Sequence, residues 1–325
     1  MGVTALSTRS VLNSSCGVQF SYRIFRTVLR MHKRYIPADF SPINIVKQGI
    51  FWLIHLGCLA AFYTGVTWTA FGICMALYFI RMFGICGGYH RYFSHRTYKT
   101  GRLFQFLLAF LGATSAQKGP LWWAGHHRHH HRFSDTEEDI HSTFVHGLWW
   151  AHVGWVLSTH YIETRYDLVK DLYQFPELRW LDRNHIVAPL SLIALLFALG
   201  YSLQAYAPGL HTTPMQIFVW GFCVSTTLLY HGTFMINSFA HLIGTKRFET
   251  GDHSKNSLIL SLITLGEGWH NNHHRYPGSE RQGFYWWELD VSHYILKGFE
   301  KLGLVWDLRA PPSRVYEEAK LRKAV

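Results

Sequence analysis

Two stretches of this chain carry no formal charge: Asp, Glu, Lys and Arg are all missing from 48–80 and from 185–236. A membrane-crossing helix needs about 20 apolar residues, and each stretch is long enough for a pair of them. The first runs on to Tyr89 with Arg81 as its only interruption, and the second is broken near Ala207-Pro208-Gly209. The pattern predicts four spans, at about 47–66, 68–89, 186–206 and 215–237. These form two hairpins of an all-α integral membrane protein. Composition agrees, because only 16% of residues are charged and 16% are aromatic, against about a quarter charged in a soluble domain. A disordered chain is excluded, and an ordinary soluble enzyme is not expected.

The positions of the cations give the expected orientation. The short connections near 66–67 and 207–214 hold no Lys or Arg. Basic residues gather on the cytoplasmic side of a membrane protein. Both termini and the long segments 90–184 and 238–310 are therefore expected in the cytoplasm as a helical cap. Residues 1–45 are read as an interfacial segment and 311–325 as a tail, in a multi-pass protein of the inner membrane if the cell is bacterial. The net charge of +11 needs no nucleic acid: Arg23, Arg26, Arg30, Lys33 and Arg34 suit a segment lying against anionic lipid. No apolar signal region follows the first basic residues. The five cysteines form no C-x-x-C pair, so neither a disulfide framework nor a zinc–thiolate site is expected.

The chain has 22 histidines, and most of them cluster. His90-Arg-Tyr-Phe-Ser-His95 is H-x-x-x-x-H. The run His126-His127-Arg128-His129-His130-His131 contains H-x-x-H-H in two frames, 126/129/130 and 127/130/131. His270-Asn-Asn-His273-His274 is H-x-x-H-H again, and His241 closes Asn237-Ser-Phe-Ala-His241. On a helix, residues i, i+3 and i+4 share a face, so each triplet should aim three imidazoles into one small volume. His90 and His95 would stand about 140° apart on an ordinary helix. All the clusters follow a span or lie in the cap, so they converge on one membrane face.

Imidazole is the commonest protein ligand for iron, zinc and copper. Three motifs and His241 supply nine histidines, too many for one ion, and two ions with four or five nitrogens each is the economical reading. A membrane metal carrier would place its ligands inside the spans, which hold only His55, His231 and, at one edge, His185, each read as isolated. A hydrolase would want a carboxylate base beside metal-bound water. Glu267 is the acid read as close to a triplet, and it serves equally well to hold a ligating imidazole in place.

The order of these motifs resembles the membrane fatty acyl desaturases, and most closely the delta-9 group of stearoyl-CoA and bacterial acyl-lipid desaturases. The resemblance rests on His90–Lys99, Trp123–Ser134, Asn237–His241 and Gly266–His274 and covers about 45–310. It selects the frame His127, His130 and His131, because Arg128 and Arg132-Phe133-Ser134 match the family pattern. It implies metal ligands His90, His95, His127, His130, His131, His241, His270, His273 and His274. Asn237 would reach a metal through water, and Glu267 and His126 would support the ligands. Tyr78 and Met82 match the end of the substrate tunnel. The implied centre is two ferrous ions, with O2 as co-substrate, and the implied reaction places a cis double bond in a saturated C16–C18 chain.

Two departures concern the acyl carrier. Gly125-His126 and Thr159-His160 stand where animal enzymes place basic residues for the CoA phosphates. Leu148–Trp155 reads as an interfacial aromatic segment like that of the acyl-lipid enzymes. The substrate is therefore an acyl-CoA or a membrane acyl-lipid. No heme or iron–sulfur motif is present, so electrons are expected from a separate ferredoxin or b-type cytochrome. Hydroxylases of acyl chains, alkanes or carotenoids share the metal architecture and form the rival enzyme class.

Overall fold

The computed structural model describes residues 48–323, so the expected segment 1–45, with its basic cluster, lies outside the described residues. Nearly every element is helical. Three helices are long and apolar enough to cross a membrane: Trp68–Ser94, Val187–Tyr206 and Pro214–His241. The expected first span is represented by two shorter pieces, Gly49–Gly57 and Ala60–Thr64. Their combined apolar stretch is below spanning length by the same measure.

Local chemistry sets the helix starts. Thr67 accepts from the Ala70 amide at 3.2 Å and caps the helix that begins at Trp68. Thr213 does the same for Gln216, with Pro214 in the first turn. A hydroxyl there satisfies an amide with no partner inside the helix, and proline has no amide to orphan. Gly200 lets the Val187–Tyr206 helix meet Pro214 closely, since an added Cβ would lie 2.5 Å from the Pro214 Cα.

Phe62, Tyr63, Trp68 and Tyr206 are each about 90% exposed. Large apolar side chains left bare in this number mark a surface that meets lipid. Arg81 is buried within the Trp68–Ser94 helix and donates to Thr226 Oγ1 at 2.8 Å and Ser225 Oγ at 2.5 Å. A charge at such depth is tolerated only when its donors are occupied.

The cap folds back against the ends of these helices. A two-stranded antiparallel ribbon pairs Lys99–Thr100 with Val305–Trp306. Trp150 and Trp155 are buried and Trp155 stacks on Trp122, so 148–155 is largely core and only Trp149 is well exposed. The interfacial reading of that segment is thereby corrected: the tryptophans pack a cap core.

Candidate metal centre

Histidines His90 and His95 sit where the Trp68–Phe83 α-helix widens into a π-helix, Gly84–Ser94. The His95 amide donates to the His90 carbonyl at 3.2 Å, an i+5 bond in place of i+4. The wider turn puts the two rings on one side, with centroids 4.8 Å apart. This replaces the 140° separation expected of an ordinary helix. Wide turns of this kind are rare and concentrate at functional sites.

The second cluster lies on the Pro120–Phe133 helix, and the third on the short helix His270–Arg275. His241 ends the 3₁₀ turn that follows Ser225–Ser238. Together they form two groups. His90, His95, His127, His131 and His273 bring five ring nitrogens within 4.8 Å of one another. His130, His241, His270 and His274 do the same with four. Each H-x-x-H-H triplet is therefore shared between the two groups. His127 and His131, one turn apart, face the first group and His130 the second. His273 faces the first group, and His270 and His274 face the second. The expectation that a triplet serves one volume is corrected, and the sharing places the groups side by side, with the His131 and His274 rings 4.5 Å apart.

The frame also becomes visible. His126 and His129 belong to neither group. His126 Nε2 meets the Glu163 carbonyl at 3.1 Å and His129 Nε2 the Glu138 carbonyl at 2.9 Å.

Carboxylates fix the ring orientations. Asp139 accepts from His130 Nδ1 at 2.9 Å, Asp135 from His241 Nδ1 at 2.9 Å and Asp252 from His274 Nδ1 at 2.6 Å. Glu267 contacts His90 Nδ1. Each carboxylate holds a proton on Nδ1 and leaves the Nε2 lone pair facing the group. Glu267 is otherwise saturated, by the Arg91 guanidinium and by Gln282 Nε2 at 2.8 Å. It orients a histidine and has no face left for a water. The carboxylates Asp135, Asp139 and Asp252 are sites that sequence reading missed. Asp135 and Asp139 lie shortly after His131 and were visible as acids near a triplet, but Asp252 is remote from all three motifs.

The donor set fits metal ions. His90 Nε2 faces His273 Nε2 at 3.1 Å, His131 Nε2 faces His273 Nε2 at 2.9 Å, and His241 Nε2 faces His270 Nε2 at 3.1 Å. Where Nδ1 carries the ring proton, the facing Nε2 lone pairs repel, and a shared cation relieves that repulsion. His274 Nε2 is buried without a hydrogen-bond partner, a cost of about 1–3 kcal/mol that coordination removes. Burial and neighbouring imidazoles push His95, His127, His131, His270 and His273 well below the ordinary histidine range. They are thus neutral and able to bind metal at pH 7. A third grouping, His130 with Asp139 and His141, shares His130 with the second group, and its Asp139 is already bonded to that ring.

A cavity runs beside the first group, lined by Trp123, His127, Tyr230, Thr233, Phe234 and Asn237. Tyr78 and Met82 are buried one layer away. They pack on Gly232, where an added Cβ would meet Tyr78 Oη at 2.6 Å and Met82 Cε at 3.0 Å.

Known proteins resolve what the geometry serves. Residues 66–308 match the family model described as fatty acid desaturase. This chain belongs to the fatty acid desaturase family. It is 36% identical over 273 residues to a delta-9 acyl-lipid desaturase of Arabidopsis thaliana, covering 83% of this chain and 84% of that protein. It is 35% identical over 285 residues to an sn-1 stearoyl-lipid 9-desaturase of Synechocystis, covering 85% of each. An acyl-CoA 5-desaturase of Anemone leveillei is 34% identical over 262 residues, covering 79% of this chain and 77% of that one. The protein is a fatty acid desaturase, which sets aside the metal-carrier and hydrolase readings. The relatives named differ in both bond position and acyl carrier, so neither is read from them.

Proposed function

We propose that this desaturase places a cis double bond at the delta-9 position of a saturated C16–C18 acyl chain. The observation that supports this most is the pair of adjacent histidine groups beside a cavity that reaches His127. His90, His95, His127, His131 and His273 would hold one ferrous ion. His130, His241, His270 and His274 would hold the other, and Asn237, on the cavity wall, would reach a metal through water. Bound iron supplies the dioxygen chemistry that removes two hydrogens from neighbouring methylenes. Overall, O2, two electrons and two protons are consumed, and two waters leave with the monoene.

The chain's own residues do the positioning. Trp123, Phe234 and Tyr230 give the acyl chain apolar walls and exclude water. Tyr78 and Met82, on Gly232 next to that wall, are the proposed end of the tunnel. The helical pieces from Gly49 to Thr64 complete four spans in two hairpins, and both termini and the metal centre face the cytoplasm. Electrons would arrive from a ferredoxin or b-type cytochrome on that face.

The test is gas chromatography–mass spectrometry of fatty acids from a desaturase-deficient host expressing the protein, with His273→Ala as control. A cis-9 monoene made only by the wild type is expected. Hydroxylated chains without a monoene would transfer the protein to the hydroxylase class.

A further inference from the structure

The end of the cavity wall formed at the starts of two apolar helices has no assigned role. Gln48, His185 and Ile186 lie there, and Lys118, Trp122 and Pro189 also line the cavity. Gln48 and Ile186 immediately precede the Gly49–Gly57 and Val187–Tyr206 helices, so this end opens between two apolar helices at their starts. Ile50 and Ile186 are exposed there, as a lateral opening toward lipid requires.

Among the described residues, Lys118 is the one lysine or arginine on the cavity wall. Its ammonium lies 5.3 Å from the centre of the Trp122 ring, a contact that steers a cation without neutralising it. Asp182, whose charge acts on this ammonium, is already engaged by the Leu121 and Trp122 amides and by Thr164. The Lys118 backbone has φ +65, a conformation that favours glycine, yet the position carries a lysine. Tyr89 Oη pins that turn by donating to the Lys118 carbonyl at 3.0 Å. Burial pushes the ammonium below its ordinary range, and an anion beside it would offset that cost.

Distance restricts which anion fits. Lys118 stands two residues before the Pro120–Phe133 helix, and from Pro120 to His127 that helix rises about 10 Å. An extended chain advances about 1.2 Å per bond, so this is the reach of roughly eight or nine carbons. The anion suited to Lys118 is therefore one within a few bonds of the acyl carbonyl, since the lysine side chain adds its own reach of about 6 Å. The phosphate of a glycerolipid does, whereas the diphosphate of coenzyme A is separated from its thioester by the whole pantetheine arm.

We propose that Lys118 is the head-group anchor of this enzyme, holding the phosphate of a glycerophospholipid whose acyl chain enters from the bilayer between the two helices. The proposal rests on the desaturase reading of the same cavity and narrows its substrate to acyl phospholipid. It assigns the selection to one ammonium, with His185 and Gln48 beside it.

The test uses the full-length protein and three probes: dipalmitoyl phosphatidylglycerol, dipalmitoyl monogalactosyldiacylglycerol and palmitoyl-CoA. Native mass spectrometry reads how much of each is retained. Wild type should retain the phospholipid about tenfold over the uncharged galactolipid, Lys118→Gln should lose that preference, and Lys118→Arg should keep it. An unchanged preference in Lys118→Gln, with thermal melting showing it folded, would overturn the anchor. So would stronger retention of palmitoyl-CoA than of phospholipid by the wild type. The two readings fail separately. A monoene formed with no dependence on Lys118 overturns the anchor alone. Lys118-dependent retention in a host that gains no monoene overturns the reaction and leaves the anchor.

Discussion

Each ligating imidazole is set by the group behind it. Asp252 accepts from His274, Asp139 from His130 and Asp135 from His241. Replacing such a partner releases the ring and its tautomer and costs about 10–100-fold in metal affinity. Asp252→Asn should therefore lose iron to a chelator about 10–100-fold more readily than wild type, while an exposed control, Glu137→Gln, should not. A second prediction concerns pH. The five imidazoles held below 6.5 stay neutral in the folded protein, whereas the unfolded chain binds protons as pH falls past 6.5. The unfolded state then holds more protons, so stability rises with pH and is lost progressively below about 6.5. The melting temperature of the iron-free protein in detergent should drop between pH 8 and pH 5.5, and a flat profile would contradict the buried neutral set. The histidine clusters were legible in the sequence because their spacing is local, although the frame within 126–131 came from the family resemblance and not from spacing. Asp252 was not, because it reaches His274 only through the fold.

At the scale of elements, two helices depart from ordinary winding or spacing for a reason. The π-helix Gly84–Ser94 turns a five-residue spacing into a shared face. Sequence periodicity assumes 3.6 residues per turn and could not show it. The contact between the Val187–Tyr206 helix and the helix that starts at Pro214 depends on close approach at Gly200. Gly200→Leu would push its side chain into Pro214 and should cost about 1–3 kcal/mol, lowering the melting temperature. Gly209→Ala, with nothing within 4 Å of the added carbon, should leave the melting temperature within error. Equal effects from both would contradict the packing described for this pair of helices.

Across the whole molecule, the charge-free stretches announced long apolar helices, and three of the four expected spans have a helix long and apolar enough to cross a membrane. The first is cut into two pieces near Cys58 and Leu59, which hydropathy cannot register because both sides of the break are apolar. Sidedness is open to direct labelling. In a background with serine at all five native cysteines, Gly209→Cys should react with an impermeant thiol reagent from outside the cell. His253→Cys should react only after the membrane is opened. Labelling of both from one side would contradict the two-hairpin arrangement.

The central claim is that nine histidines in two groups hold two iron ions, and elemental analysis of the purified protein tests it most directly. Inductively coupled plasma mass spectrometry, normalised to protein by amino-acid analysis, should give about two irons per chain, from groups of five and four nitrogens. His95→Ala and His270→Ala, each removing one ligand from a different group, should each lower that content. One iron per chain in the fully active wild type, or zinc in place of iron, would contradict the account.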